Sequence, residues 1–161
     1  MPSPSVLQCG QALIEKGKTI AFAESATGGR LCAEFVLAPD AGQFLKSSLV
    51  TYDVGVKQAL LGVPGSAIER FTPESAEVTR LMTLGLQRQV EADLYISITG
   101  LTHPGGSEHP GKPVGTMFIH MMHGTVEVSV EEVFSGDPET IILLTVDEVA
   151  HQIIKLLDDG K

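Results

Sequence analysis

The residues best suited to catalysis or ligand binding lie between Ala21 and Leu31, where an apolar run ends in a turn of small, polar and glycine residues. The run from Ile20 to Ala23 predicts a short buried strand, and the apolar spacing that begins at Leu31 predicts a helix. In open α/β sheets such a junction lies at the carboxyl end of the strand, where ligands bind. Backbone N–H groups at a helix start favour an anion or a developing oxyanion there.

Ser25 and Thr27 place hydroxyl groups at this edge, and Gly28 and Gly29 allow a positive φ and a close approach between backbone and ligand. A helix cap followed by a turn that needs glycine explains the same motif. The turn therefore becomes a site only if other parts of the chain bring suitable chemistry to it. In that case the backbone N–H groups around Thr27 to Gly29 are expected to hold an oxyanion.

A serine nucleophile needs a base, because its hydroxyl is a weak nucleophile at neutral pH, and no histidine lies near Ser25 in the sequence. A neutral lysine can act as the base, but the pKa of lysine is ordinarily about 10.4 and burial must lower it. Tyr52 ends a predicted strand and Lys57 lies about one turn into the next helix, so one sheet can bring both to Ser25. Spacing alone favours a simpler arrangement, with the lysine in solvent and the tyrosine at the edge of the core.

A second candidate is the glycine- and proline-rich segment from Leu101 to Pro113, which follows a predicted strand and is predicted to be a long loop. Glycine N–H groups and one lysine can hold a phosphate as a backbone nest and a point charge. A long connection that needs glycine to turn explains the pattern equally well, so both interpretations stay open. The candidate binding residues here are Thr99, Gly100, His103, Gly105, Gly106 and Lys112.

Neither metal nor cysteine chemistry is indicated by the residue spacing. The histidines show no H-E-x-x-H pattern and the cysteines no C-x-x-C pattern, so we predict no metal site and no cofactor. Cys9 and Cys32 both fall within predicted helices, where they are expected as small buried thiols in a reducing compartment.

Composition is that of an ordinary soluble globular protein, with 161 residues, 43% hydrophobic and 19% charged. The formal net charge of -9 argues against nucleic acid as a main partner, because phosphate binding needs a basic surface. The N-terminus has no signal-peptide pattern, and no apolar run approaches the roughly 20 residues that cross a bilayer. We therefore expect a cytoplasmic protein with no membrane partner.

The order of elements predicts a single α/β domain over residues 1–161, with three α/β/α layers and a mixed, mainly parallel sheet. The predicted hairpin turns at His123-Gly124, and a phase shift predicts a bulge at Glu131-Glu132. Helices are predicted over 2–17, 27–37, 53–61, 72–91 and from 137 onward, and strands over 19–24, 48–52, 93–99, 115–122 and from 126.

Several motifs occur together and in order along nearly the whole chain. They are Ala23-Glu24-Ser25-Ala26-Thr27-Gly28-Gly29, Val50-Thr51-Tyr52 with Lys57, Leu60-Leu61-Gly62-Val63, Ala92-Asp93 with Ile96-Ser97-Ile98-Thr99-Gly100, and Lys112-Pro113-Val114-Gly115. In these motifs the chain resembles the C-terminal domain of the CinA (competence/damage-inducible) family, the nicotinamide-nucleotide amidohydrolases. The larger N-terminal domain of long family members is missing from the sequence, so the chain resembles a stand-alone short form.

The resemblance implies hydrolysis of the carboxamide of nicotinamide mononucleotide to nicotinate mononucleotide and ammonia, without a metal. It implies that Ser25 is the nucleophile, that Lys57 and Tyr52 handle its proton, and that the glycine turns and Thr99-Gly100 line the nucleotide site. The implied partner is thus a small nucleotide, and the resemblance also suggests a homo-oligomer.

Two departures from the family pattern keep other functions open. Val54 replaces an asparagine, and Thr102-His103-Pro104, followed by an extended segment over 107–111, replaces Ala-Gly-Pro. The first change removes a polar contact near the base, and the second puts a histidine where a glycine allows close approach of a ligand. A non-catalytic nucleotide-binding or regulatory protein of the same fold, and a hydrolase of a different amide, are therefore the alternatives.

Overall fold

A computed structural model describes residues 1–159, which contain both helices and strands, as expected for an α/β protein. The helices are α1 (Pro4–Glu15), α2 (Arg30–Phe35), α3 (Val54–Leu61), α4 (Gly65–Phe71), α5 (Ala76–Gln89) and α6 (Pro138–Asp159). The strands are β1 (Ile20–Glu24), β2 (Leu45–Val50), β3 (Leu94–Gly100), β4 (Thr116–His123) and β5 (Val126–Val133). Within these residues, no helix combines the length and apolar character that a bilayer crossing requires.

The strands form one five-stranded sheet in the order β2-β1-β3-β4-β5. β1 pairs in parallel with both β2 and β3, whereas β4 is antiparallel to β3 and to β5. Glu24, the last residue of β1, is in register with Val50 and Ile98. The predicted mixed sheet is confirmed, and the carboxyl ends of its three parallel strands lie at one edge, where the candidate residues follow.

Helices cover both faces of the sheet and produce the predicted three layers. α1, α2 and α6 pack on one face, where the Phe22 ring meets the Phe35 ring edge-on with centroids 5.1 Å apart. α3, α4 and α5 pack on the other face, where Met82 and Leu86 lie against the small side chains of β1. All five residues of β1 are buried because both of its faces are covered. Burial of the central strand gives the turn that follows it a rigid base.

Two predicted helix starts are wrong, and a cap decides one of them. α5 begins at Ala76 and not at Thr72, because the Ser75 hydroxyl caps it by accepting a hydrogen bond from the Val78 N–H at 3.2 Å. Thr72 has a φ of 72° and lies outside the helix. α2 is shorter than predicted and begins only at Arg30. The helix α4 was not predicted.

The hairpin between β4 and β5 also differs from the prediction. β4 continues through His123, which pairs with Val126, so the turn consists of Gly124 and Thr125. The pairing runs without a register shift from His123 to Thr116 at the other end of β4, and the predicted bulge at Glu131-Glu132 is therefore wrong. The change in hydrophobic pattern there reflects an exposed edge strand, not an irregular one.

Candidate active site

Ser25 lies directly after β1, in the turn that joins this strand to α2. Its N–H donates to the Ile98 carbonyl of β3 at 3.0 Å, which continues the sheet pairing by one residue beyond the strand. The serine is almost buried, with 8% of its surface exposed. The sheet therefore fixes the position of the hydroxyl at the carboxyl edge of the parallel strands.

Lys57 reaches the same point from α3. Asp53, where the predicted helix starts, caps α3 by accepting a hydrogen bond from the Val56 N–H at 3.2 Å. Only 2% of the lysine surface is exposed, and Nζ lies 2.8 Å from Ser25 Oγ. Nζ also donates to the carbonyls of Thr51 at 2.8 Å and Tyr52 at 3.1 Å. The structure thus brings together the hydroxyl and amine that spacing alone did not favour as a pair.

The electrostatic setting of Lys57 suits a base. Burial lowers the pKa of the amine, and the carboxylates of Glu74 and Asp53 oppose that shift only in part. A neutral amine has two N–H donors and one lone pair. With the two carbonyls accepting the N–H donors, the lone pair is left for the Ser25 hydroxyl, and this is the arrangement that a serine activated by lysine requires.

Tyr52 was predicted to relay a proton, and the contact that the structure shows with Lys57 is made by its backbone. Its carbonyl contacts Lys57, whereas its side chain is 68% exposed and lines a cavity. Val54, the first residue of α3, is partly buried against the core on the α5 side of the sheet. Val54 therefore offers no polar group to the site, and the polar contacts of the Lys57 amine on this side are the carbonyls of Thr51 and Tyr52.

Glu24 holds the turn that carries Ser25, and sequence analysis assigned it no role. Its side chain is fully buried, and its two carboxylate oxygens accept five hydrogen bonds of 2.7–3.0 Å. The donors are the hydroxyls of Thr27 and Ser48 and the N–H groups of Gly29, Leu31 and Cys32. A charged residue that ends an apolar strand just before a helix was the available signal, because a carboxylate is favourable at a helix start.

These contacts change the expected oxyanion site. The Gly29 N–H donates to Glu24, and the Gly28 N–H donates to the Ser25 carbonyl at 3.0 Å, so neither is free. In the part of the chain that the structure describes, the N–H groups of Ala26 and Thr27 have no such partner. These two groups belong to the residues that directly follow the nucleophile, and Ala26 lines the cavity described below.

One cavity of about 230 Å³ joins the Ser25 turn to the loop that follows β3. Its lining consists of Ser25, Ala26, Tyr52, Glu74 and residues 100–106, which include the predicted Gly100, His103, Gly105 and Gly106. His103 Nδ1 lies 2.9 Å from the Thr102 hydroxyl. The cavity therefore has room for a small substrate directly above the hydroxyl.

Other predicted binding residues lie outside that lining. Thr27, Gly28 and Gly29 shape the turn, and both glycines have a positive φ, of 56° and 98°. The Thr99 hydroxyl is buried 2.9 Å from that of Thr79. Lys112 is buried, and its ammonium donates to three oxygens of the protein. These are Thr72 Oγ1 at 2.8 Å, the Glu74 carbonyl at 2.8 Å and Ser107 Oγ at 2.7 Å.

In the loop that follows β3, a glycine N–H group already binds a carboxylate side chain of the same loop. The Gly105 N–H donates to a carboxylate oxygen of Glu108 at 2.6 Å, and this backbone contact lowers the pKa of Glu108. A phosphate could use the same N–H only by displacing that carboxylate. As for metals, residues 1–159 contain no group of three or more histidine, cysteine, aspartate or glutamate side chains arranged to bind an ion.

Comparison with known proteins agrees with this architecture. The chain is 38% identical over 130 residues to a CinA-like protein of Petrotoga mobilis, and 38% identical over 132 residues to a CinA-like protein of Thermotoga neapolitana. Each match covers 80% of this chain but only 32% and 31% of the relative, so the chain spans about a third of their length.

Solved structures of CinA superfamily proteins share the fold. A competence-damaged protein from Escherichia coli superposes with a TM-score of 0.88 at 30% identity, covering 94% of this chain and 88% of that one. A competence damage-inducible protein A from Klebsiella pneumoniae gives a TM-score of 0.91 at 25% identity, covering 98% and 97%. The family model described as "CinA C-terminal domain" matches residues 4–157. The chain therefore belongs to the CinA C-terminal domain family.

Proposed function

We propose that the chain is an amidohydrolase that acts on the carboxamide of a pyridine nucleotide, with nicotinamide mononucleotide as its substrate. The observation that carries this proposal is the 2.8 Å contact between Lys57 Nζ and Ser25 Oγ below an open cavity. Membership of the CinA C-terminal domain family supports the choice of substrate, through the resemblance described above.

In the proposed reaction Ser25 Oγ attacks the carboxamide carbon while the neutral Lys57 amine takes the hydroxyl proton. The carbonyl oxygen becomes an oxyanion, which the N–H groups of Ala26 and Thr27 stabilise. The Lys57 ammonium then returns the proton to the leaving nitrogen, the C–N bond breaks and ammonia departs, which leaves an ester on Ser25. Water, deprotonated by the same amine, attacks the ester carbon. The C–Oγ bond breaks, the Lys57 ammonium returns the proton to Ser25 Oγ, and the carboxylic acid leaves.

Two further residues position this machinery. The Tyr52 carbonyl orients the Lys57 amine, and the ring of Tyr52 forms one wall of the cavity. Glu24 holds the turn that carries the Ser25 hydroxyl and the N–H groups of Ala26 and Thr27. Neither role needs a metal or a cofactor.

The test is ammonia release from nicotinamide mononucleotide by wild type, Ser25→Ala and Lys57→Met. We expect each substitution to lower kcat/KM at least about a thousandfold, because residues that act as a unit in catalysis have effects of this size. Ser66→Ala and Lys155→Met are matched controls on exposed residues and should keep wild-type rates. Equal rates for wild type and Ser25→Ala would remove Ser25 from the mechanism.

A second candidate is a nucleotide-binding or regulatory protein of the same fold without turnover. His103 in the cavity lining and the Glu108 carboxylate on the Gly105 N–H favour it, because both occupy a loop expected to receive a ligand. Thermal-shift measurements with a panel of nucleotides, run beside the ammonia assay, separate the two functions. A binder raises Tm with a nucleotide but releases no ammonia, and a small panel of other amides tests for a different amidase.

A further inference from the structure

The cavity above Ser25 has an unusual charge for a nucleotide site. Among residues 1–159, Glu74 contributes the only carboxylate to its lining, and no lysine or arginine of this range lines it. Glu74 lies on the connection between α4 and α5, and it contacts Ser107 of the loop that follows β3. A substrate whose carboxamide is placed at Ser25 therefore meets a negative charge on one wall and no permanent positive charge in the lining.

The Glu74 side chain is held in place by its surroundings. One carboxylate oxygen accepts a hydrogen bond from the Ser107 hydroxyl at 2.6 Å, and that hydroxyl accepts one from the Lys112 ammonium at 2.7 Å. The Glu74 carbonyl accepts from Lys112 at 2.8 Å and from the Thr72 hydroxyl at 3.1 Å. Lys112 therefore fixes the wall that carries the carboxylate, and Glu74 is positioned before a ligand arrives.

A charge at this place acts on the base as well as on the substrate. The Glu74 carboxylate raises the pKa of Lys57, as does Asp53, in opposition to the larger effect of burial. In the empty site it thus favours the protonated, inactive amine. A cation bound beside Glu74 cancels that field and favours the neutral amine, whereas a neutral ligand leaves the field in place.

We propose that Glu74 is a specificity-determining residue that selects carboxamides carried on a cationic ring over carboxamides carried on a neutral ring. This inference rests on the proposed function. In an N-substituted nicotinamide the ring nitrogen is positively charged and lies within one ring of the carboxamide, so a carboxamide at Ser25 brings the cation toward the cavity wall. Glu74 then attracts the ring. The positive charge of the ring in turn offsets the effect of the carboxylate on Lys57 and favours the neutral amine.

The experiment compares nicotinamide mononucleotide with its reduced 1,4-dihydro form, which has the same ribose phosphate and carboxamide but a neutral ring. For wild type and Glu74→Gln, kcat/KM is measured for both compounds. We expect Glu74→Gln to reduce the preference for the cationic form roughly tenfold, as removal of one partly screened charge does. Glutamine can still accept the Ser107 hydrogen bond, so the wall keeps its shape. Glu77→Gln, on an exposed residue in the first turn of α5, should leave the preference unchanged.

A second readout separates this inference from the proposed function. If wild type releases no ammonia from either compound, the proposed function fails, and the dissociation constants of both compounds for wild type and Glu74→Gln still test Glu74. A preference in binding that is lost in Glu74→Gln supports the inference. Where turnover occurs, the acid limb of kcat/KM should move to lower pH in Glu74→Gln, which a merely structural role would not produce. An unchanged preference in Glu74→Gln overturns the inference.

Discussion

Replacing Glu24 by glutamine tests whether this buried carboxylate holds the catalytic turn. The substitution keeps the shape of the side chain but turns one acceptor oxygen into an NH₂ donor. With the NH₂ directed at Ser48 and Cys32, the serine hydroxyl can reverse and accept a hydrogen bond, but the Cys32 N–H loses its acceptor. The three donors on the other oxygen keep their acceptor but lose its charge.

The expected loss of stability follows from these contacts. One orphaned buried N–H costs about 1–3 kcal/mol, and the loss of charge weakens each of the three remaining bonds further. Glutamine is easier to bury than a carboxylate, which offsets part of this cost. We therefore expect Glu24→Gln to lower the free energy of unfolding by about 2–3 kcal/mol. For a domain of this length that corresponds to a fall in Tm of about 4–12 °C.

Urea unfolding and the ammonia assay measure the two consequences separately. Glu69→Gln, on the exposed side of α4, is the control and should match wild type in both assays. Glu24→Gln should lose activity at temperatures where it is still folded, because the Ser25 turn shifts. If its free energy of unfolding lies within about 0.5 kcal/mol of the control, the five hydrogen bonds do not hold the turn and this reasoning is wrong.

Three further predictions follow from the site and from its scaffold. Tyr52→Phe should keep kcat/KM within about threefold of wild type, because the carbonyl and not the phenol contacts Lys57, whereas a loss of about a hundredfold or more would give the phenol a proton-transfer role. Since burial lowers the pKa of Lys57, the unfolded chain binds more protons than the folded chain between the lowered and the ordinary lysine values. Urea midpoints of wild type should therefore rise relative to Lys57→Met as pH increases through that window, and a constant or falling difference would contradict the lowered pKa. Gly85→Ala should cost about 1–3 kcal/mol, because overpacking is destabilising and the new Cβ would lie 2.0 Å from the Leu61 carbonyl oxygen; Gly42→Ala, with nothing within 4 Å, is its control in thermal unfolding.

Much of the architecture could be predicted from the sequence, because β1 is a short buried strand followed by a glycine turn. Parallel strands end at one edge of a sheet, so the sheet could bring Ser25 and Lys57 together, although spacing alone favoured a lysine in solvent. The Asp53 cap, with its acceptor in the expected place, made the start of α3 predictable.

The unpredicted features depend on contacts between distant segments. Glu24 accepts a hydrogen bond from Ser48 of β2, and the Lys112 ammonium donates hydrogen bonds to Thr72 and Ser107, which lie in different loops. The predicted helix start at Thr72 was wrong because Ser75 caps α5, and hydrophobic spacing gives no rule for choosing between two hydroxyl residues so close together. These outcomes were decided by tertiary hydrogen bonds, which sequence periodicity does not report.

The central claim is that Lys57 holds a neutral amine against the Ser25 hydroxyl. A titration of the Lys57 Nζ resonance by ¹⁵N NMR, in wild-type protein with labelled lysine, measures this directly. We expect a pKa well below the ordinary lysine value of about 10.4, with the same transition in the acid limb of kcat/KM. A Lys57 amine that titrates at or above the ordinary lysine value would contradict it.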